Sequence, residues 1–125
     1  MLRACRRLLR PGGRVAYFTI TVADDLTPAQ RRRAVHAGPR AVSSKAPQAD
    51  LLRRAGFADV DETDVTDDYL RTIESWTLEN ERRRDDLRAT DAEAFDERMA
   101  DTWEALRAAR DGLLRRSLLV ARRAG

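Results

Sequence analysis

One cysteine, one histidine and one lysine are all that this 125-residue chain has of three chemically versatile side chains. Cys5 on its own excludes an internal disulfide and a cysteine-based zinc site, and it fits a reducing, cytoplasmic setting. His36 on its own argues against a metal centre, because the many carboxylates lie along amphipathic helix surfaces rather than at ligand spacing. Aromatic residues are only 6% of the chain and are not interleaved with the basic ones. That excludes the stacking platform of a single-strand nucleic-acid binder, and no nucleic-acid partner is expected. No stretch approaches the roughly 20 apolar residues of a membrane span. The basic start, Met1 to Arg7, is followed by no apolar segment of the kind a signal peptide needs.

Charge is what the chain has in abundance, 36% of residues for a net +3. Its distribution is uneven. Residues 1–45 hold ten basic and two acidic residues, residues 46–112 ten and nineteen, and residues 113–125 four and none. The basic surplus is almost all arginine, which reads as codon bias in a GC-rich genome rather than as a nucleic-acid patch. The triplet Arg82-Arg83-Arg84 reads as a solvated helix face.

Met1 to Leu9 predicts a helix with Leu2, Cys5, Leu8 and Leu9 on one side. Pro11 stops it and Gly12-Gly13 supplies the turn. Val15 to Ile20 is a nearly continuous apolar and β-branched run, the pattern of a strand buried on both faces in an α/β architecture. Residues 21–46 form a lid-like connection. Within it Thr27-Pro28-Ala29-Gln30 starts a short helix that ends near Gly38-Pro39, and Ala41 to Lys45 reads as mobile. Pro47 to Ala55 predicts a helix closed by Gly56 in the left-handed region. Phe57 to Val65 alternates, as an edge strand does. A helical insertion, residues 66–111, contains two helices. Thr66-Asp67-Asp68 caps the first, and Thr90-Asp91-Ala92-Glu93 is a capping box for the second. Tyr69, Ile73 and Trp76 share one face of the first. Phe95, Met99, Thr102, Trp103 and Leu106 share one face of the second, which Gly112 ends. Leu113 to Ala121 is the last strand.

This order resembles the C-terminal half of a class I S-adenosylmethionine-dependent methyltransferase. A helix ending in Leu-(Lys/Arg)-Pro-Gly-Gly leads into that family's fifth strand, here Leu9 to Ile20. A helix ending in an Ala-Gly-Phe turn leads into its sixth, here Leu51 to Val60. A closing antiparallel strand slots between them, here Leu113 to Arg122. Tyr69-Leu70-Arg71-Thr72-Ile73-Glu74-Ser75-Trp76 is similar to the Tyr-x-x-Thr-Leu-x-x-Trp stretch of the small-molecule and cyclopropane-fatty-acid-synthase-like branch. The resemblance implies a single α/β domain: a partial Rossmann-like methyltransferase sheet of three strands, the last antiparallel, with flanking helices. Where the synthases carry His-Thr-Ile, this chain has Phe18-Thr19-Ile20, so cyclopropanation is not implied.

Thr19, Thr21, Tyr69 and Trp76 are the expected substrate-binding residues. The two threonines close a strand at the carboxyl end, where α/β sheets bind ligands, and the resemblance carries Thr19 and Tyr69 over as pocket-lining. His36 is a candidate general base with a naturally poised pKa, although no carboxylate is spaced in sequence to orient it. The family's glycine-rich loop and ribose-binding acid have no counterpart here. S-adenosylmethionine is therefore the implied cofactor of the full-length family, and this chain by itself is not expected to bind it tightly. The partners implied are a small-molecule substrate and either a second copy or a missing N-terminal half. The alternative is a non-enzymatic assembly module that pairs through an exposed strand edge.

Overall fold

The computed structural model describes residues 1–39 and 46–125, so the expected mobility of Ala41 to Lys45 lies outside the described residues. The elements are α1 (Leu2–Leu8), β1 (Arg14–Val22), α2 (Pro28–Ala37), α3 (Gln48–Arg54), β2 (Phe57–Asp64), α4 (Thr66–Arg82), α5 (Arg84–Arg88), α6 (Ala92–Arg110) and β3 (Leu114–Arg123). The chain order matches the expected one, with the five-residue α5 added between the two long helices.

The sheet order is β1-β3-β2, and β3 is antiparallel to both neighbours. Tyr17 therefore faces Leu119, Thr19 faces Ser117 and Thr21 faces Arg115. Because side chains alternate across a strand, the odd residues of β1 point to one side and the even ones to the other. Val15 and Tyr17 join Leu52, Phe57, Leu119 and Ala121 in a core covered by α1 and α3. Ile20 and Val22 join Ala34, Tyr69, Ala108, Leu113 and Leu114 in a second core, built with α2, α4 and α6. The first half of the even-numbered face has no such cover. Ala16 is exposed and Phe18 is 55% exposed. This corrects the expected burial of β1 on both faces. The helices reach only the carboxyl-terminal half of that face, and β1 is an edge strand.

Local chemistry explains the turns. Gly12 has φ +77° and donates to the Arg123 carbonyl at 3.1 Å, while Arg123 N–H donates to Gly13 at 2.7 Å. The Pro-Gly-Gly turn is thus clipped to the end of β3. In β2 the pairing slips between Ala58 and Asp61, where Asp59 takes φ +50°. Such a bulge suits Asp, which tolerates the left-handed region, and Asp59 also pairs with Arg122 at 2.7 Å. The predicted box on α2 is complete. Thr27 Oγ1 accepts from Gln30 N–H at 3.2 Å, and Gln30 Oε1 accepts from Thr27 N–H at 2.9 Å.

Three expectations shift. Leu8 points outward, 87% exposed, leaving Leu2, Cys5 and Leu9 on the inner side of α1. The N-cap of α6 is Asp91, whose carboxylate accepts from Ala94 N–H at 3.0 Å, one residue later than a box centred on Thr90. The start of α4 is held by Asp64 rather than by Thr66. Asp64 Oδ1 accepts the Thr66 N–H at 2.9 Å and the Thr66 hydroxyl at 2.6 Å, and Thr66 Oγ1 accepts from Arg116 N–H at 3.0 Å.

This relay gives a testable pH dependence. The Thr66 hydroxyl first, then the Thr66 N–H, hold the Asp64 carboxyl below its ordinary pKa. A depressed folded-state pKa stabilises the fold above the unfolded value of about 4, and the contribution fades as pH falls through the folded value. Asp64→Ala is expected to lower stability by about 0.5–2 kcal/mol at pH 7. The gap between variant and parent should close as urea midpoints are followed down from pH 5, and a constant gap would contradict the relay.

Candidate functional site

Beyond the carboxyl ends of β1 and β2 lies an open cleft of about 850 Å³. Its floor is Thr21, Arg115 and Ser117 on the odd-numbered face of the sheet. Glu62 and Asp64 from β2 form one wall, and the β1–α2 connection from Ala23 to Leu26 with Arg31 of α2 forms another. Pro47 and Gln48, at the start of α3, close the rim. The position follows from topology, because strand ends leave a crevice where successive connections diverge.

Carboxylates outnumber guanidinium groups at the cleft. Asp24, Asp25, Glu62 and Asp64 line it against Arg31 and Arg115. Arg115 and Asp24 approach only to 3.9 Å with both side chains well exposed, a geometry worth little in stability. Asp25 takes φ +59°, a conformation Asp accommodates. Beneath the rim, the Tyr17 hydroxyl donates to Gln48 Oε1 at 3.0 Å. Burial, and then the charge of Glu62, keep that phenol protonated well past neutral pH. The cleft thus offers hydrogen-bonding and charged groups to a small polar molecule. No cysteine or histidine lines it, and among the described residues no three His, Cys, Asp or Glu side chains group as a metal site.

A second cluster stands on the even-numbered face. The Arg116 guanidinium lies 4.2 Å from the Phe18 ring centroid and 5.2 Å from that of Tyr69. Tyr69 is buried at the first turn of α4, and its phenol is pushed up by burial and partly brought back by Arg116.

The expected site residues are therefore distributed rather than gathered. Thr21 lines the cleft. Thr19 shares its side of β1 but pairs with Ser117 deeper in the sheet. Tyr69 faces the opposite side, beside Arg116. Trp76 is 66% exposed. The side of α4 that packs inward carries Tyr69, Leu70, Ile73 and Thr77, with the Thr77 hydroxyl donating to the Ile73 carbonyl at 2.7 Å. His36 is outside both clusters, and its Nε2 lies 3.6 Å from Glu104 Oε1 on α6, with the histidine largely exposed and the glutamate partly buried. A carboxylate does meet the histidine, brought by the α2–α6 contact rather than by sequence spacing. Sequence reasoning missed Arg115, Arg116, Glu62 and Asp64. Arg115 lies opposite Thr21, Arg116 opposite Ile20 and Asp64 opposite Ser117, relations that become a signal only once the register is known.

A three-stranded sheet with its middle strand reversed, flanking helices on both faces and a crevice at the carboxyl ends is an arrangement shared with part of the fold of solved S-adenosylmethionine-dependent methyltransferases. The chain superposes on phosphoethanolamine N-methyltransferase 2 of Haemonchus contortus, solved with phosphomonomethylethanolamine and S-adenosylhomocysteine, with a TM-score of 0.77 at 16% identity. The match covers 99% of this chain and 29% of that one. It superposes on the cyclopropane synthase MmaA2 of Mycobacterium tuberculosis with a TM-score of 0.73 at 15% identity, covering 98% and 48%. A third match is the [4+2]-cyclase SpnF, with a TM-score of 0.65 at 18% identity, covering 98% and 43%. The chain spans less than half the length of each of these structures, and at such identities the likeness establishes the fold alone. No family model and no curated protein matches the chain.

Gly12 and Gly13 do not fit a cradle for a nucleoside such as the S-adenosylhomocysteine bound in the phosphoethanolamine N-methyltransferase. Such a cradle needs a glycine-rich turn leading from a strand into a helix, where backbone N–H groups stay free. Gly12 and Gly13 precede a strand, and the Gly12 N–H is spent on Arg123.

Proposed function

We propose that the chain is the substrate-side half of an S-adenosylmethionine-dependent methyltransferase acting on a small organic molecule, with the cofactor held by a complementary N-terminal half. The observation that supports it most is the end-to-end fold likeness, 98–99% of this chain, to enzymes of that class. In this reading residues 21–46 form the lid and Thr19 and Thr21 meet the substrate at the strand ends. Tyr69 and Trp76 belong to α4, across the sheet from those threonines, so in this reading they contribute a separate surface rather than a wall of the same pocket. When bound in the complementary half, S-adenosylmethionine supplies the methyl group. The part of this chain is to orient the acceptor and exclude water, which is where such catalysts gain most. By itself the chain neither holds the cofactor tightly nor turns over.

The test compares this chain with the product of the same reading frame extended upstream. Both are incubated with methyl-labelled S-adenosylmethionine and a panel of small amines, acids and alcohols. The extended product is expected to transfer label, and the 125-residue chain to transfer none. An upstream frame without a strand followed by a glycine-rich loop would sink the reading. So would micromolar S-adenosylmethionine binding by this chain in calorimetry.

A second reading rests on a different observation, the free outer edge of β1 beside exposed Ala16 and Phe18. An uncovered edge templates pairing with another strand, and a module of this kind would assemble as a dimer. Light scattering would then show a concentration-dependent dimer that Ala16→Lys dissociates. A monomer at all concentrations counts against this reading.

A further inference from the structure

Arg116 differs from the other arginines around it. It occupies the middle strand, is half buried, and lies over the Phe18 ring and near that of Tyr69 rather than paired with a carboxylate. Its backbone N–H donates to Thr66 Oγ1 at 3.0 Å. Among the described residues its guanidinium has neither a carboxylate within 4.0 Å nor a hydrogen-bond acceptor. By contrast, Arg115 next to it has Asp24, and Arg122 on the same strand has Asp59.

Two features converge there. Contact with the two rings holds the guanidinium in place, and a guanidinium with free N–H edges can grip a planar or tetrahedral oxyanion with two parallel bonds. The Tyr69 hydroxyl also has no acceptor among the described residues, and burial keeps it protonated and so a donor. Fixed donors and an exposed ring offer a site to a group with negatively charged oxygens and a small organic body.

We propose that Phe18, Tyr69 and Arg116 form an anion-binding site for the carboxylate or phosphate group of a small organic molecule. Arg116 supplies the fork, Tyr69 one further donor, and Phe18 the wall against which the organic part lies. The assignment rests on the methyltransferase reading only for its purpose, naming acid- or phosphate-bearing molecules as the substrate class. The binding itself is a property of this chain.

The experiment follows the Arg side-chain Nε–H resonances of the 125-residue chain during separate titrations with inorganic phosphate, sodium acetate and sodium chloride at matched ionic strength. A saturable shift confined to Arg116, with an affinity on the order of millimolar for so small a probe, is expected with phosphate, acetate or both. Saturation by phosphate alone assigns a phosphate ester, by acetate alone a carboxylate, and by both the shared chemistry. Arg116→Gln should weaken binding by about tenfold or more, and Arg116→Lys, which keeps charge but loses the fork, by less. Phe18→Leu, which leaves the charge in place, should weaken it by about two- to fivefold. Equal shifts with chloride, no saturation, or undiminished binding by Arg116→Gln overturns the site. If Arg116→Gln fails to fold, the native titration and Phe18→Leu decide. Loss of the site with label transfer intact in the extended product would remove this inference and leave the methyltransferase reading standing. Anion binding without label transfer would do the reverse.

Discussion

Leu119→Ala is expected to destabilise the chain by about 2–5 kcal/mol, while Leu8→Ala should change stability by less than about 0.5 kcal/mol. Both remove the same atoms from a leucine, and Leu8 was expected on the apolar side of its helix. Leu119 is fully buried at the centre of β3, against Leu52, Phe57 and Ala121. It faces Tyr17 across one ladder and Glu62 across the other. Truncation there loses transfer free energy and leaves a cavity that strands held on both sides cannot close. Native domains are stable by only about 5–15 kcal/mol, so the loss is a large share of the whole. Leu8 is 87% exposed on a seven-residue helix and has little to lose. Urea midpoints read at constant slope would check both. A Leu119→Ala midpoint near that of the parent would mean that the core beneath α1 and α3 is not the one described.

The contrast shows where sequence pattern stops being informative. Features whose partners lie within four residues were legible. The Thr27–Gln30 box forms both of its bonds, and Gly56 and Gly112 take positive φ at the ends of helices. The place of β3 between β1 and β2 was legible too, from the family resemblance of three linked motifs rather than from any one of them. Burial of β1 was not. A run such as Val15 to Ile20 records that neither face repels apolar cover, but cover must be supplied by other elements. Here α1 and α3 reach Val15 and Tyr17, whereas Phe18 stays 55% exposed with the Arg116 guanidinium over its ring. Asp64 was overlooked as the stop before α4 because capping was sought inside the helical run, and the relay through Thr66 to Arg116 spans 50 residues.

The candidate site was less legible than the fold for the same reason. Thr21 was placed correctly at the carboxyl end of a strand, and that needed only the direction of β1. The periodicity of Tyr69, Ile73 and Trp76 predicted a shared face. The packing partner α6 covers a strip centred on Ile73 and Thr77, which leaves Trp76 at its margin. Glu104 meets His36 across 68 positions. Arg116 was one arginine among many until the register set it between Phe18 and Tyr69. An open aromatic and basic face, next to a free strand edge, is also what half of a longer enzyme would present to its complement. Both the substrate reading and the assembly reading draw on that surface, and the label-transfer and light-scattering experiments separate them.

Gly56→Val is the second large effect expected, a loss of about 2–4 kcal/mol. Two independent physical terms contribute. Gly56 has φ +90°, outside what a β-branched residue adopts without strain. A Cβ at this position would also lie 2.4 Å from Nε and 2.8 Å from Cδ of Arg6. Arg6 is not idle there. Its Nε donates to the Gly56 carbonyl and its Nη2 to that of Ala124, both at 3.4 Å, so one side chain ties α1 to the α3–β2 turn and to the end of β3. A side chain at 56 must displace Arg6 and release α1, whose short length gives it little stability of its own. The two terms separate in a cycle. Arg6→Ala alone loses only the tether and should cost about 1 kcal/mol. Gly56→Ala in the Arg6→Ala background relieves the collision and keeps the backbone strain, about 1–2 kcal/mol. If Gly56→Val costs no more than Arg6→Ala, the left-handed turn is not what fixes α1 to the sheet, and the Ala-Gly-Phe motif is ordering something other than this junction.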